Sequence, residues 1–297
     1  MENYVISTDS TSDFYADEIE KYNLYVGKLN YSMTKKNELE EYLDDFKSYD
    51  EYVNFYNELR SGVVSKTSIL NVQAHIDLFT KMAEDGVKNA IHITQGMGLS
   101  PTVTNAEMAI EEVKKTYPDI NYIAIESNTT TCAEGYLVRI AMKLRDDGKS
   151  MQETIDTINE LKHKNQHFIV VDDLMYLKRG GRVSGAKAVI GTILQLKPII
   201  EFTKEGKLDI IRKEKGTKKA YKSINQEIKD NYTVHSEFNN VIVVLTDNTD
   251  GATNLAYMFE QEFGIKPEIR IMGPIVGTHV GPNAVAVTFM SNEERKY

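Results

Sequence analysis

The chain has 297 residues, of which 41% are hydrophobic and 27% charged, and its formal net charge is -9 with histidine neutral. These values are typical of soluble globular proteins of one or two domains, and the acidic total argues against general nucleic-acid binding. No apolar run approaches the roughly 20 residues of a membrane helix, and the first residues lack a signal-peptide pattern, so we expect a cytoplasmic protein without stable membrane insertion. The single cysteine, Cys132, excludes an internal disulfide and a cysteine metal cluster.

Short apolar strands alternate with helices through the first half of the chain. The strands are predicted over residues 4–6, 24–29, 89–93, 121–125 and 167–171. Capping boxes from Ser48 to Glu51 and from Ser150 to Glu153 begin two helices, and Asn71 and Ser100 are the predicted N-caps of two more. Residues 63–71 are predicted to form a polar turn between two helices. The recurrence of strand, polar loop and helix predicts a Rossmann-like parallel sheet with flanking helices.

The pattern changes in the second half of the chain. Pro198–Thr203 and Lys207–Lys213 flank Glu205-Gly206, which predicts an antiparallel hairpin. Further strands are predicted over residues 240–246, 268–272 and 285–290, with helices from about Thr217 and Ala252. We therefore expect an α/β protein of two domains, residues 1–163 with the parallel sheet and residues 164–297 with a mixed sheet. The crevice between them is the expected ligand site.

The stretch Leu174–Ile200 is the most informative part of the chain. It joins the glycine pair Gly180-Gly181 to the cation Arg182 and to a predicted helix with Ser184 as its N-cap. Val189, Ile190, Ile193 and Leu194 form the apolar stripe of that helix. Glycines allow close approach to a ligand, and a helix start presents free N–H groups, so the stretch suits an anion. The alternative is an ordinary turn before a core helix, with Arg182 in solvent.

A second conspicuous loop, residues 273–282, places three glycines and two prolines around His279. A histidine on such a constrained turn has either a structural or a functional role. Together with the hydroxyls of Thr67, Ser68 and Ser100, the cation Arg182 and His279 could satisfy an anionic head group. Nucleophile, zinc and phosphate-loop motifs are absent from the sequence. Binding is therefore a better interpretation than catalysis.

Charge is unevenly distributed along the chain. Between Leu174 and Lys222 there are 13 Lys or Arg and 4 Asp or Glu, whereas acidic residues crowd an N-terminal stretch, residues 38–58. Such runs form either solvated helical faces or docking surfaces that steer a partner of opposite charge.

Five motifs in this order resemble the DegV family, over essentially the whole chain. They are STDSTSD (Ser7–Asp13), Lys66-Thr67-Ser68, Leu99-Ser100, YLKRGGRVS (Tyr176–Ser184) and GTHVGP (Gly277–Pro282). The family includes the fatty-acid-binding subunits of bacterial fatty acid kinases. The resemblance implies two α/β domains with a long-chain fatty acid buried between them and no further cofactor.

The resemblance also implies roles for particular residues. Thr67 and Ser100 are expected to hydrogen-bond the carboxylate, with Ser68, Arg182 and His279 near the same head group. A separate ATP-dependent kinase would phosphorylate the bound acid, so the chain itself would be a carrier and not an enzyme. Lys215, Lys218 and Lys219 would belong to the surface offered to the kinase or to an acyltransferase.

The chain departs from the family pattern around these motifs. Ile69-Leu70-Asn71 stands in place of a Gln-Pro-Ser-like turn, Gly96-Met97-Gly98 precedes Leu99-Ser100, Glu126-Ser127 replaces an Asp-Ser loop, and Asn283 replaces a glycine. Two rival functions remain. One is a metal-dependent phosphohydrolase that uses Asp9 and Asp13, and the other is a regulatory DNA-binding protein, which the acidic total disfavours.

Overall fold

The computed structural model describes residues 3–183 and 196–297. In chain order the strands are β1 (Val5–Asp9), β2 (Tyr25–Gly27), β3 (Asn30–Lys35), β4 (Glu38–Leu43), β5 (Val64–Thr67), β6 (Asn89–Thr94), β7 (Asn121–Glu126), β8 (Asn165–Val170), β9 (Leu196–Phe202), β10 (Leu208–Lys215), β11 (Val241–Leu245), β12 (Glu268–Ile271) and β13 (Val285–Met290). The helix predicted from Ser184 lies outside the described residues.

The helices are also numbered in chain order. They are α1 (Ala16–Tyr22), α2 (Tyr49–Arg60), α3 (Val72–Glu84), α4 (Thr102–Thr116), α5 (Thr131–Asp146), α6 (Met151–Leu161), α7 (Leu174–Gly180), α8 (Thr217–Asn231), α9 (Thr249–Phe263) and α10 (Pro274–Val280). In the parts of the chain that the structure describes, no helix combines the length and the apolar character needed to cross a membrane.

The first sheet consists of four parallel strands in the order β2-β1-β6-β7, as predicted. Its two faces bury different neighbours, because successive side chains of a strand point to opposite sides. On β6, Ala90 packs with α3 and α4, whereas Ile91 and Ile93 belong to the core shared with α5. Burial on both faces explains why every residue of β6 from Ala90 to Thr94 is buried.

A second, three-stranded antiparallel sheet in the order β4-β3-β5 was not predicted. The acidic stretch was interpreted as a helical face or a docking surface, and residues 63–71 as a turn between helices. Instead β3 alternates buried Tyr31 and Met33 with more exposed residues, and β4 is almost wholly exposed. The apolar face of β3 packs against Phe55 and Tyr56 of α2. Tertiary packing therefore stabilises strands whose charged sequence does not show the usual strand pattern.

The third sheet has six strands in the order β10-β9-β8-β13-β11-β12. It is mixed, as predicted, because β11 and β12 run parallel while the other neighbours are antiparallel. The predicted hairpin around Glu205-Gly206 is confirmed as β9 and β10. The division at residue 163 stays a prediction; the first two sheets use strands that end by Glu126, and the third begins at Asn165.

Helix α5 lies between the first and third sheets. It contacts β1 and β6 on one side and β8, β11 and β13 on the other. Most of its side chains are therefore buried, including Leu137, Val138 and Ala141. One continuous apolar core joins the two sheets through this helix.

Several local predictions can be compared with the helix ends. The capping boxes at Ser48 and Ser150 and the Asn71 cap are confirmed. Helix α4 begins at Thr102, one residue later than the predicted N-cap Ser100 implies, and Ser100 Oγ lies 3.0 Å from Thr102 Oγ1.

Two segments interpreted as loops are short helices. Residues 273–282 contain α10, whose Pro274 occupies the first turn, where its missing N–H costs nothing. The apolar and basic residues of the Leu174–Ile200 stretch that precede Gly181, which the sequence suggests form a turn, make up α7, and Gly181 caps that helix in the left-handed conformation. Helices α7 and α10 pack against each other, and this contact brings the two glycine-rich motifs together.

Candidate functional site

A pocket lies between the loops at the carboxyl ends of the first sheet, helix α10 and the inner face of the third sheet. It contains about 730 Å³ of space free of atoms, part of it open to solvent. All five residues predicted to bind the head group line it: Thr67, Ser68, Ser100, Arg182 and His279. Four chain segments far apart in sequence therefore meet at one place.

The most specific contact at the site joins Thr67 to His279. Thr67 ends β5, where pairing with Tyr31 of β3 fixes its position, and His279 lies in the last turn of α10. Thr67 Oγ1 and His279 Nε2 are 2.8 Å apart. A second hydrogen bond, 2.8 Å between the hydroxyls of Ser65 and Thr278, fastens the same two elements. The two hydrogen bonds between β5 and α10 thus fix the positions of Thr67 and His279 relative to each other.

The imidazole of His279 is neutral near pH 7. Burial lowers its pKa to about 4, and the charge of Arg182 lowers it further in the same direction. Nδ1 is buried and has no hydrogen-bond partner among residues 3–183 and 196–297. A Cβ at position 180 would lie 2.4 Å from that nitrogen, so only glycine allows α7 to approach the imidazole this closely.

Positive charge collects at the mouth of the pocket. The exposed Arg182 donates from Nη1 to the Gly180 carbonyl and from Nε to the Leu99 carbonyl, the latter at 3.5 Å. A guanidinium has five N–H groups, so further donors remain for a ligand. A neighbouring polar hollow shares Thr67, Arg182 and His279 and adds the exposed Lys66 and Arg179 to its wall.

The interior of the pocket is mainly apolar. Its wall includes buried side chains from the third sheet and its helices: Ile169, Leu177, Phe202, Leu208, Met272 and Val280. The pocket therefore combines hydroxyls and cations at one end with hydrocarbon inside. Such a surface is complementary to an amphipathic molecule with an anionic head group.

Comparison with known proteins identifies the family of this fold. Residues 3–292 match the family model described as uncharacterised proteins of the DegV family. This chain belongs to the DegV family. A DegV domain-containing protein of Clostridium perfringens is 30% identical over 98% of this chain and 99% of its own length.

Solved structures of DegV proteins share the fold. A DegV lipid-binding protein from Thermotoga maritima has 25% identity and a TM-score of 0.83, and the alignment covers 99% of this chain and 100% of that one. Protein TM841 from the same organism, whose structure was reported to reveal a fatty-acid-binding function, has 25% identity, a TM-score of 0.81 and coverage of 98% and 100%.

Three polar residues of this DegV pocket were not predicted: Gln95, Thr130 and Thr131. Gln95 follows β6, and the two threonines begin α5 after β7, so both positions lie beyond the carboxyl ends of parallel strands. Open α/β sheets bind ligands at that edge, which is the signal that could have found them. Thr131 also has a φ of 56°, a conformation that β-branched residues seldom adopt outside functional or strained positions.

Asp9 and Asp13 do not line the pocket as the described residues define it. Asp9 accepts hydrogen bonds from the Thr11 and Gln95 backbone N–H groups at 2.9 and 3.1 Å, and Asp13 accepts one from Gly273 N at 3.0 Å. Burial raises the pKa of Asp9 and raises that of Asp13 to about 7. Within residues 3–183 and 196–297, no group of three or more His, Cys, Asp or Glu is arranged to hold a metal ion. The phosphohydrolase hypothesis thus gains no supporting contact.

The predicted partner residues form a separate surface. Lys215 ends β10, and Lys218 and Lys219 lie in the first turn of α8; all three side chains are exposed. The residues shown to line the pocket do not include them. The three lysines therefore lie outside the wall of the pocket.

Proposed function

We propose that this DegV protein binds a long-chain fatty acid in the pocket and presents its carboxylate to a separate ATP-dependent kinase, which forms the acyl phosphate. The observation that carries the proposal is the Thr67–His279 pair at the polar end of an otherwise apolar pocket. The fatty-acid-binding function reported for the T. maritima relative, whose chain is covered in full, supports the same ligand class.

Hydrocarbon burial supplies most of the affinity in this proposal. About 15 methylenes at roughly 0.8 kcal/mol each give on the order of 12 kcal/mol before the costs of association and ordering. This gross gain is large enough to retain a fatty acid without a covalent bond. The protein therefore acts as a carrier, and the phosphoryl transfer takes place on the kinase.

The carboxylate is held by hydroxyl donors backed by a cation. For Thr67 to donate its O–H to the carboxylate, its oxygen must accept from His279 Nε2–H, which a neutral imidazole can provide. Ser100 supplies a second hydroxyl, and Ser68 and Arg182 lie on the same rim. Since Arg182 is exposed, the carboxyl oxygen that receives the phosphoryl group lies at the mouth, within reach of a partner.

The partner surface follows from the charge distribution. Lys215, Lys218 and Lys219 present a basic patch that suits an acidic face on the kinase, or on an acyltransferase that takes the product. The proposal needs no cofactor other than the bound fatty acid, no nucleic acid and no membrane insertion. It places the protein in the cytoplasm, where the kinase and its ATP are found.

The first test is native mass spectrometry of the purified recombinant protein, followed by denaturation and identification of the released small molecules. A stoichiometric long-chain fatty acid is the expected result, and its chain length reports the preferred ligand. An empty protein that also fails to take up added fatty acids would refute the proposed function.

A further inference from the structure

Two polar side chains inside the pocket have no hydrogen-bond partner among residues 3–183 and 196–297. Gln95 and Thr130 line it and are only 6% and 3% exposed. In the described part of the chain, Thr130 Oγ1 is buried without a hydrogen-bond partner, and the side-chain amide of Gln95, on the pocket wall, makes no hydrogen bond to another described residue. Buried polar groups in native proteins are almost always paired. These two groups therefore indicate that a ligand or solvent supplies their partner.

The two side chains lie on loops that are fastened together. Gly96 N donates to Thr129 O at 2.7 Å, and Ser127 N donates to Thr94 O at 2.8 Å. The residues next to these bonds, Gln95 and Thr130, are thus placed side by side. Asp9 fixes the Gln95 backbone by accepting its N–H at 3.1 Å. Backbone hydrogen bonds therefore fix the positions of Gln95 and Thr130, and neither residue lies on the surface.

The chemistry of this pair favours a neutral partner. Behind it lie three buried acids, Asp9, Asp13 and Glu134, and burial raises the pKa of each. Among the described residues that line the pocket, Arg182 is the one Lys or Arg, and it lies at the mouth, so a second anion at Gln95 and Thr130 would contact no cation of the pocket wall. A primary amide and a hydroxyl both donate and accept, and a hydroxyl group on the ligand can do the same.

We propose that the preferred ligand is a hydroxylated long-chain fatty acid, whose hydroxyl binds Gln95 and Thr130 while its carboxylate binds Thr67 and Ser100. This inference rests on the proposed function and narrows its substrate class. An unsubstituted chain would press methylenes against the amide and the hydroxyl and leave both unpaired. Sites that bind a ligand hydroxyl discriminate against the analogue without one for this reason.

The test compares the affinities of stearic acid and its 3-, 10- and 12-hydroxy derivatives, each measured by displacement of a fluorescent fatty acid from the full chain. We expect one hydroxy isomer to bind roughly tenfold more tightly than stearic acid. Gln95→Leu and Thr130→Val should each reduce the ratio of the two affinities, hydroxy isomer to stearic acid, towards one. Both variants preserve shape: the Gln95 N–H still reaches Asp9, and Thr130 is extended and makes no side-chain cap to the residues described.

Thr129→Val is the matched control. Its hydroxyl is also buried and unpaired among the described residues, but Thr129 is not among those that line the pocket. The ratio should stay at the parental value in this variant. Thermal melts show whether each protein is folded. If Gln95→Leu fails to fold, Thr130→Val still tests whether the ligand hydroxyl binds at this site.

The outcomes separate the two levels of the proposal. Equal binding of stearic acid and every hydroxy isomer, or a ratio that survives in the folded variants, would show that water fills the Gln95–Thr130 site and would overturn the inference alone. Failure to bind stearic acid and all its derivatives would overturn the fatty-acid carrier function itself.

Discussion

At the scale of single residues, backbone conformation explains where this chain departs from the family pattern. Asn283, which replaces a glycine of the last motif, has a φ of 65°, and asparagine is among the few residues that tolerate this region. Its N–H donates to Asp247 Oδ1 at 2.7 Å, and its Oδ1 accepts from Arg60 Nη2 at 2.8 Å. The substitution therefore keeps the turn and adds side-chain contacts.

Thr67→Val tests the head-group assignment at this scale. Valine has the same shape but leaves His279 Nε2 unpaired and removes the donor to the carboxylate. We expect about a tenfold loss of fatty-acid affinity and a loss of about 1 kcal/mol in the free energy of unfolding. Displacement of a fluorescent fatty acid and urea denaturation measure the two effects.

Thr34→Val is the control for that substitution. Thr34 lies on β3, the strand that pairs with β5 and Thr67, but its side chain is exposed. Affinity and stability should therefore change little. Parental retention of fatty acid by Thr67→Val would contradict the role given to Thr67.

At the scale of elements, the contact between α7 and α10 assembles the site. Glycines are required where these helices meet: a Cβ at Gly281 would lie 2.4 Å from the Tyr176 ring, and one at Gly180 would meet His279. The motifs YLKRGGRVS and GTHVGP are thus two sides of one packed interface. Their glycines allow close packing, whereas Arg182 and His279 of the same motifs line the pocket.

The pair Gly180→Ala and Gly181→Ala separates packing from backbone strain. At Gly180 the new methyl group collides with His279, so both stability and fatty-acid affinity should fall, stability by roughly 1–3 kcal/mol. At Gly181 the φ of 67° makes alanine unfavourable, but nothing among the described residues lies within 4 Å of the added atom. We expect about 1 kcal/mol of destabilisation there, with affinity retained.

Urea denaturation and fatty-acid displacement measure both variants side by side. If the two substitutions reduce affinity equally, the contact with His279 is not what makes Gly180 necessary.

At the scale of the whole molecule, the C-terminal segment joins the sheets. Arg295 is 1% exposed and donates to the carbonyls of Asn165, Asn128 and Thr203, with Nη1 to Asn128 O at 2.8 Å. These carbonyls belong to β8, the loop after β7 and the turn of the β9–β10 hairpin. One side chain therefore connects the parallel and mixed sheets on the side of the Gln95–Thr130 loops.

Arg295→Met tests this connection. Methionine fills similar length but donates nothing, so three buried carbonyls lose a partner and the free energy of unfolding should fall by about 3 kcal/mol. Lys296→Ala is the neighbouring control, because the Lys296 side chain is half exposed and its ion pair with Glu227 should contribute less than 1 kcal/mol. Equal urea midpoints for the two variants would show that Arg295 does not join the sheets.

The sequence by itself determined the elements whose signals are local. The capping boxes at Ser48 and Ser150, the Asn71 cap and the Glu205-Gly206 turn depend on residues within a few positions of each other, and each was predicted correctly. The family motifs also named Thr67, Ser68, Ser100, Arg182 and His279, and all five line the pocket; their role in ligand binding stays a prediction.

Only the tertiary structure decided the contacts between distant segments. The charged residues of β4 become a strand because β3 pairs with it, and Thr67 meets His279 across 212 positions of sequence. Gln95 and Thr130 could be identified as ligand-binding candidates only from the structure, in which the sheet places their loops together. Local patterns are set by hydrogen bonds within a turn, whereas these contacts depend on which faces are buried against one another, and that choice is made by the core as a whole.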